Sequence, residues 1–519
     1  MTRAMRWLWL GLLVPVVLIG SGLLLADHLT PPATGAPSHA LRLEPAQTAI
    51  DRELAPLLER EQGRTGVLLL SDGLDAFAAR AMTARRAGRS LDLQYYIWKD
   101  DLTGRLLARE AHAAAERGVR VRLLLDDLNA QGLDPKWLAL DAHPLIEIRL
   151  YNPFRNRGGI RRLVEMVQRV FSINHRMHNK AWIADGRVAI VGGRNIGEEY
   201  FAADSEVNFR DLDLMLFGPA VAQASSIFDR FWNSDAVVPI AALHPMTGRE
   251  LQEAVAGFED DAGLERASPY LQRVMSAPGV IGYYAGVLAP FWTERLVVAS
   301  DPPRKRVADP DDWLLADLAP ILRDARRSAW LISPYFVPGE SGTAALAEMV
   351  ARGVQVGVAT NSLAANDVPA VHSGYMRYRK PLLRSGVRLH ELRAAPDPAH
   401  GSAGLLGSSG ASLHTKAFVV DDRSGFVGSF NLDPRSANLN TEMGVLFDDP
   451  AIADAVRAEY ERLVAADQSY EVTLDADGEL RWRDGSTAPP RMLDQEPNAP
   501  WWLRAVAGVL SWLPLESQL

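Results

Sequence analysis

A histidine and a lysine two residues apart, with an aspartate five residues further on, occur twice in this chain. The copies are His178-Asn179-Lys180 with Asp185, and His414-Thr415-Lys416 with Asp421. Behind each runs a glycine turn that ends in asparagine, Gly192-Gly193-Arg194-Asn195 and Gly428-Ser429-Phe430-Asn431, at the same 17-residue offset from the histidine. A single H-x-K carries no information, but five positions repeated in register do, and two half-sites in one chain imply one shared site. The period of two in the apolar residues after each motif puts His178 with Lys180, and His414 with Lys416, on one face of a strand. Two imidazoles and two ammonium groups around a common space suit a phosphodiester. The cations hold phosphoryl oxygens and stabilise charge in the transition state. One imidazole attacks phosphorus while the other protonates the leaving oxygen. Asn195 and Asn431 add neutral donors, and neither a metal nor a cofactor is required.

The elements that must position these groups are also duplicated. Arg117-Gly118-Val119-Arg120-Val121 recurs as Arg352-Gly353-Val354-Gln355-Val356. Each lies behind an aromatic apolar run, Leu91–Trp98 and Ala329–Phe336, with an Ala-rich helical stretch between, Thr103–Glu116 and Gly342–Ala351. Strand, helix, strand is the unit of a mixed or parallel sheet covered by helices. The expected fold is therefore α/β, with two lobes related by a pseudo-twofold axis and the H-x-K strands meeting at their interface. A chain of 519 residues exceeds what one hydrophobic core usually supports. The expected division is a membrane segment over 1–30, a linker and entry over 31–60, lobes over 61–245 and 311–470, a connector or insertion over 246–310, and a tail over 471–519.

The two H-x-K-x4-D patterns, with G-G-x-N and G-S-x-N behind them, resemble the HKD motifs of the phospholipase D superfamily. The resemblance covers roughly residues 65–465. It implies a covalent phosphohistidine on one histidine and acid, then base, catalysis by the other, with the N-terminal copy usually the nucleophile. His178 then takes that role and His414 the acid/base role. Lys180, Lys416, Asn195 and Asn431 fall at phosphate-binding positions. Asp185 and Asp421 complete the motif set of candidate catalytic residues, although in the family these aspartates are structural. A carboxylate is expected behind each histidine, fixing its tautomer. Glu442 fits the second copy. Arg210-Asp211-Leu212-Asp213 offers two choices for the first, and aligning Gly218-Pro219-Ala220 with Asp449-Pro450-Ala451 favours Asp211.

Within the superfamily the chain most resembles the C-type branch of bacterial cardiolipin synthases. The resemblance rests on Gly192–Phe201, the Asp211-Leu212-Asp213 strand, Gly428–Ser436 and the ending Leu513–Ser517. It implies transfer of a phosphatidyl group from phosphatidylethanolamine or phosphatidylglycerol to phosphatidylglycerol. Hydrolysis of phospholipid to phosphatidic acid is the alternative. A nuclease is a weaker reading, because the net charge is −9 and phosphate contacts dominate nucleic-acid affinity.

The ends agree with a lipid substrate. Arg3 and Arg6 precede Trp7–Ala26, an uncharged run of 20 residues, long enough to cross a bilayer. Positive residues before it and none directly after predict an inside N-terminus. The expected location is the bacterial inner membrane, with the bulk on the outer, periplasmic side; a cleaved signal peptide is the competing reading. Near the other end, Trp502, Val506, Val509, Leu510 and Leu513 share a helical face flanked by further tryptophans, as at a headgroup interface or packed onto the protein. Arg155–Phe171 carries five arginines and one glutamate with apolar helical spacing, a candidate contact for anionic headgroups. The absence of cysteine excludes disulfides and thiolate metal sites.

Overall fold

A computed structural model describes residues 35–513, apart from 131, 160–161, 163–164, 167–168, 170–173, 244–247, 260–261, 285–288 and 395–411. The expected span Trp7–Ala26 lies outside the described residues. Among those described, no helix is long and apolar enough to cross a membrane.

The first sheet takes nine strands: β1 (Thr65–Leu70), β2 (Ser90–Tyr95), β3 (Arg120–Asp126), β4 (Ile146–Tyr151), β5 (Ala181–Ala184), β6 (Val188–Gly192), β7 (Asp213–Phe217), β8 (Val237–Pro239) and β9 (Phe291–Thr293). The second takes ten: β10 (Leu296–Ser300), β11 (Ser328–Ile332), β12 (Gln355–Asn361), β13 (Arg388–Leu392), β14 (Ala417–Val420), β15 (Ser424–Gly428), β16 (Met443–Asp448), β17 (Ser469–Leu474), β18 (Leu480–Asp484) and β19 (Arg491–Leu493). Their orders are β8-β4-β3-β2-β5-β6-β7-β1-β9 and β17-β13-β12-β11-β14-β15-β16-β10, with β18 and β19 added beyond β17. The duplication in sequence is thus a duplication of topology over eight strands, from β8 to β1 in one sheet and from β17 to β10 in the other. In each sheet three strands run parallel, β2-β3-β4 and β11-β12-β13, and the rest are antiparallel.

The parallel strands are joined by crossover helices, as parallel pairing demands. Helix Leu102–Glu116 links β2 to β3 and buries Leu106, Leu107, Ala111, Ala114 and Ala115 against the sheet. Asp101 caps its first turn, accepting from the Gly104 amide at 2.9 Å. Helix Gly339–Ala351 is its counterpart between β11 and β12.

The two motif aspartates hold the central strands. Asp185 and Asp421 turn the chain after β5 and β14 with φ of 54° and 56°, a left-handed conformation that aspartate tolerates. The Asp185 carboxylate accepts from the amides of Gly88 (3.0 Å), Arg89 (2.7 Å) and Ser90 (3.0 Å), fixing the entry to β2. Asp421 does the same for β11 through Arg326 (3.0 Å), Arg327 (2.6 Å) and Ser328 (3.0 Å).

Three boundaries differ from the sequence reading. The stretch 246–310 is more than a connector: β9 closes the first sheet, β10 opens the second, and helices Gly248–Glu259, Ala262–Met275 and Pro278–Tyr284 precede them. Short strands of three and five residues leave too little periodicity to stand out in sequence. The entry over 31–60 contains helix Ala49–Arg60, started by a Thr48–Asp51 capping box. The tail over 471–519 continues the second sheet through most of β17 and through β18 and β19. It ends on helix Trp501–Leu510, which buries Leu503 and Ala507 and leaves Trp501, Val509 and, just beyond the helix, Trp512 exposed.

Candidate active site

The lobes share an apolar core drawn from β5, β6 and β7 of one sheet and β14, β15 and β16 of the other, and two short parallel bridges cross between them, Met177 with Thr441 and Arg210 with Leu413. The His178 amide donates to the Thr441 carbonyl (2.8 Å), and the Thr441 amide to Arg176 (2.9 Å). The second bridge repeats this, His414 to Arg210 at 2.8 Å and Arg210 to Ser412 at 3.0 Å. Each histidine therefore lies beside the acid-bearing segment of the opposite lobe. His178 Nδ1 donates to Glu442 Oε2 at 2.8 Å, and His414 Nδ1 to Asp211 Oδ2 at 2.6 Å. Both expected carboxylates are present, but the pairing is exchanged: Glu442 stands behind the first histidine and Asp211 behind the second. The exchange follows from the bridges, which a reading of each repeat by itself does not contain.

The carboxylates are themselves fixed. Glu442 takes a hydrogen bond from the Ser429 hydroxyl (2.5 Å), and its amide donates to Asp301 (2.8 Å), which Lys305 anchors at 3.0 Å. Asp211 accepts from the Leu212 amide (2.8 Å). Gly193 occupies the place that Ser429 takes in the other lobe, and a Cβ there would lie 2.2 Å from the Asp211 carboxylate. Asp213, the other candidate, serves a different purpose: it is buried against Arg80 (2.8 Å) and Arg194 (3.4 Å).

Lys180 and Lys416 are each 1% exposed, and each ammonium donates to the carbonyl of its own motif histidine. Burial, opposed by the nearby carboxylates and reinforced by the neighbouring lysine, lowers Lys180 to about 7. Burial likewise lowers Lys416 to about 8. The imidazoles are pushed down too. Burial and the two lysines bring His178 to about 4 against the pull of Glu442. His414 falls well below its ordinary value through burial, Lys416, Lys180 and His178. Lys416 thus acts on His178, Lys180 and His414, and Lys180 on both histidines, across the boundary between the lobes. Burial alone would raise Glu442, but His178, Lys180 and the Ser429 hydroxyl outweigh it and hold it low, whereas burial prevails at Asp211 and raises it.

The asparagines are not equivalent. Asn195 is committed at both ends, its oxygen to the Ile97 amide (3.1 Å) and its nitrogen to the Tyr200 hydroxyl (3.0 Å). The buried Asn431 side-chain oxygen has no protein partner among the described residues. Asp185 and Asp421 do not join the site, being spent on backbone amides at the far ends of β5 and β14. The basic stretch is also less available than its composition suggests. Arg157 is largely buried against Asp134 and Asp127, and Arg169 pairs with Glu165. Leu163, Val167 and Val170 of that stretch lie outside the described residues.

Sequence reasoning missed the rings that hold the imidazoles. Tyr96 lies edge-on to His178 at 5.0 Å, with the Lys180 ammonium 5.4 Å from the tyrosine ring. Phe209 stacks on His414 at 5.4 Å, and Tyr200 meets it edge-on at 5.2 Å. Tyr96 sits in the aromatic run just after β2 and Tyr200 follows the G-G-x-N turn, but nothing local marks either as facing a histidine. Phe209 carries no such signal at all.

A family model described as "Cardiolipin synthase, PLD-like domain" matches residues 82–232 and 318–464, the two repeats just described. The chain belongs to this phospholipase D-like family. Among curated relatives, cardiolipin synthase C of Escherichia coli is 40% identical over 89% of this chain and 98% of its own length. Cardiolipin synthase A of Pseudomonas entomophila is 28% identical over 79% of this chain and 70% of its own. Among solved structures, phosphatidylserine synthase of Haemophilus influenzae superposes over 88% of this chain and 95% of its own with a TM-score of 0.58 at 12% identity, a likeness of fold.

Proposed function

We propose that this protein is a phosphatidyltransferase that makes cardiolipin, passing a phosphatidyl group from phosphatidylethanolamine or phosphatidylglycerol to a second phosphatidylglycerol through a phosphohistidine. The observation that carries the reading is the crossed pair, two buried imidazoles each backed by a carboxylate from the opposite lobe, with a buried lysine bonded to the carbonyl of each histidine. The names of the curated relatives support the substrate class.

An ionised carboxylate only accepts hydrogen bonds, so Glu442 keeps the proton of His178 on Nδ1 and leaves the Nε2 lone pair free to attack. The low pKa keeps that ring neutral at working pH. Lys180, Lys416 and Asn431 hold the phosphoryl oxygens, and Asn195 shapes the loop. The negative charge of a bound phosphodiester offsets the lysines and draws a proton onto His414, which delivers it to the leaving alcohol. The P–O bond to that alcohol breaks as the N–P bond forms. In the second half His414 takes the proton of the acceptor hydroxyl, whose oxygen attacks phosphorus and expels His178. The assignment of nucleophile to His178 is supported by its tighter mounting, since Nδ1 also lies 3.2 Å from the Ser429 carbonyl.

The reading places the enzyme at a bilayer, anchored by Trp7–Ala26 with its bulk outside. Support comes from exposed Trp501 (75%) and Trp512 (89%), the residue type enriched at headgroup level. Incubating the protein with labelled phosphatidylglycerol, with and without phosphatidylethanolamine, tests the reading. Cardiolipin is expected; phosphatidic acid alone would indicate a hydrolase instead.

A further inference from the structure

The two lobes repeat each other closely enough that a place filled in one and open in the other is informative. In the first lobe helix Gly73–Arg86 packs side by side with Leu102–Glu116. Fully buried Phe201, six residues after Asn195, has its ring 5.6 Å from Phe77. Tyr270, from the helices between the lobes, covers the same spot, 5.2 Å from Phe77 and donating to the Phe201 carbonyl at 3.0 Å.

The second lobe has the same two helices, Leu314–Arg323 and Gly339–Ala351. They are joined at one end, where Arg352 donates to the Arg323 carbonyl at 2.9 Å, as Arg117 donates to Ala84 at 2.8 Å in the first lobe. An open cavity of about 900 Å³ runs between them from that end, lined by Arg323 and Arg352, to Gly339 at the start of the second helix. Ala319 and Leu322 belong to one wall, Leu346 and Met349 to the other, with Phe336 and Phe430 between. Six residues after Asn431 stands Ala437, the positional counterpart of Phe201, and it lines the opening.

We infer that this groove receives an acyl chain of the phospholipid whose phosphate sits between Lys180 and Lys416. In the first lobe the chain's own Phe201 and Tyr270 supply the apolar filling; in the second that filling is left to the ligand. The volume lies in the range of roughly 300–1,000 Å³ in which proteins bury apolar ligands. Continuity with the site selects the occupant. Phe430 and Leu432 line the groove and flank Asn431, and Asp433, also on its lining, acts electrostatically on Lys416. A ligand held by its phosphate at Lys416 and Asn431, with a long apolar arm into the groove, is a glycerophospholipid. The inference rests on the phosphatidyltransferase reading and adds where one chain of the lipid goes.

Phosphatidylglycerol carrying a photoreactive diazirine in one acyl chain, in vesicles of unlabelled phosphatidylglycerol, tests it with the full-length protein. Cross-links on peptides from 314–323 or 339–351 are expected. Ala437→Phe, which copies Phe201, should remove most of that yield at unchanged melting temperature. It should also lower the preference for dioleoyl over dihexanoyl phosphatidylglycerol, measured as a ratio of kcat/KM, about tenfold. Should Ala437→Phe fold poorly, Ala345→Trp, at an exposed position on the wall, reads the same ratio. Cross-links confined to other peptides while the lipid is still converted would overturn the groove and leave the catalytic reading standing. No conversion of either lipid by the unaltered protein would overturn that reading, and the groove with it.

Discussion

Glu442 of the second lobe accepts the Nδ1 hydrogen of His178 of the first at 2.8 Å, and Asp211 of the first lobe does the same for His414 at 2.6 Å. Each lobe thus orients the other's imidazole. A single lobe has a histidine without its carboxylate and a carboxylate without its histidine. Each half-site thus completes the other's histidine–carboxylate pair.

Removing the charge of one carboxylate should act on rate rather than on folding. Glu442→Gln keeps the shape but loses the ion that fixes the His178 tautomer. Steady-state kinetics should show kcat reduced by about 10²-fold or more, the scale of general acid–base contributions, with little change in KM. Asp211→Asn should behave alike. Rates within twofold of wild type at equal folded content would remove these carboxylates from the mechanism.

The buried lysines predict a loss of activity toward alkaline pH. Lys180 at about 7 and Lys416 at about 8 shed their protons as pH rises through those values, so the free enzyme loses the charge that holds phosphate. kcat/KM should fall across that window, chiefly through KM. On the acid side the neutral His414 of the free enzyme has still to gain the proton it delivers, so kcat/KM should keep rising below neutrality until His178 is itself protonated near 4. A profile rising between pH 7 and 8 would contradict this.

The motif aspartates should report on stability instead. Asp185 is fully buried, and Asp185→Ala strands three backbone N–H groups, so urea unfolding should lose about 3 kcal/mol. Asp421→Ala should cost less, because water reaches the Arg326 and Arg327 amides. The rate per folded molecule should stay near wild type in both; a large drop in that rate, without destabilisation, would place these carboxylates in the chemistry.

Much of this was legible in the residues because it is periodic or local. His178 with Lys180 and His414 with Lys416 stand two residues apart in the segments that lead into β5 and β14, just ahead of the strands on which the period of two puts them, and the 17-residue offset to the asparagines marks a strand, turn and strand of equal length in both repeats. Glu442 and Asp211 are recognisable as acids just ahead of the strands that follow those turns. What they touch is not, because Met177–Thr441 and Arg210–Leu413 join residues more than two hundred positions apart. The difference between Asn195 and Asn431 was hidden for a related reason. It depends on the Ile97 amide, far away in sequence, reaching the Asn195 oxygen, while the Asn431 oxygen meets no such donor among the described residues. β9 and β10 escaped notice because strands this short become visible only when paired with β1 and β16.

The central claim, two imidazoles acting in turn on one phosphorus, is tested most directly by trapping the intermediate. In His414→Ala, His178 should still attack phosphorus when the donor is phosphatidyl-p-nitrophenol, because p-nitrophenolate leaves without an acid, and the phosphohistidine should then stall for want of a base. One equivalent of p-nitrophenol released in a burst, with a single phosphatidyl adduct on the peptide containing His178 after alkaline quench and mass spectrometry, is the predicted result. Steady turnover without an adduct, or an adduct on any other residue, would contradict it.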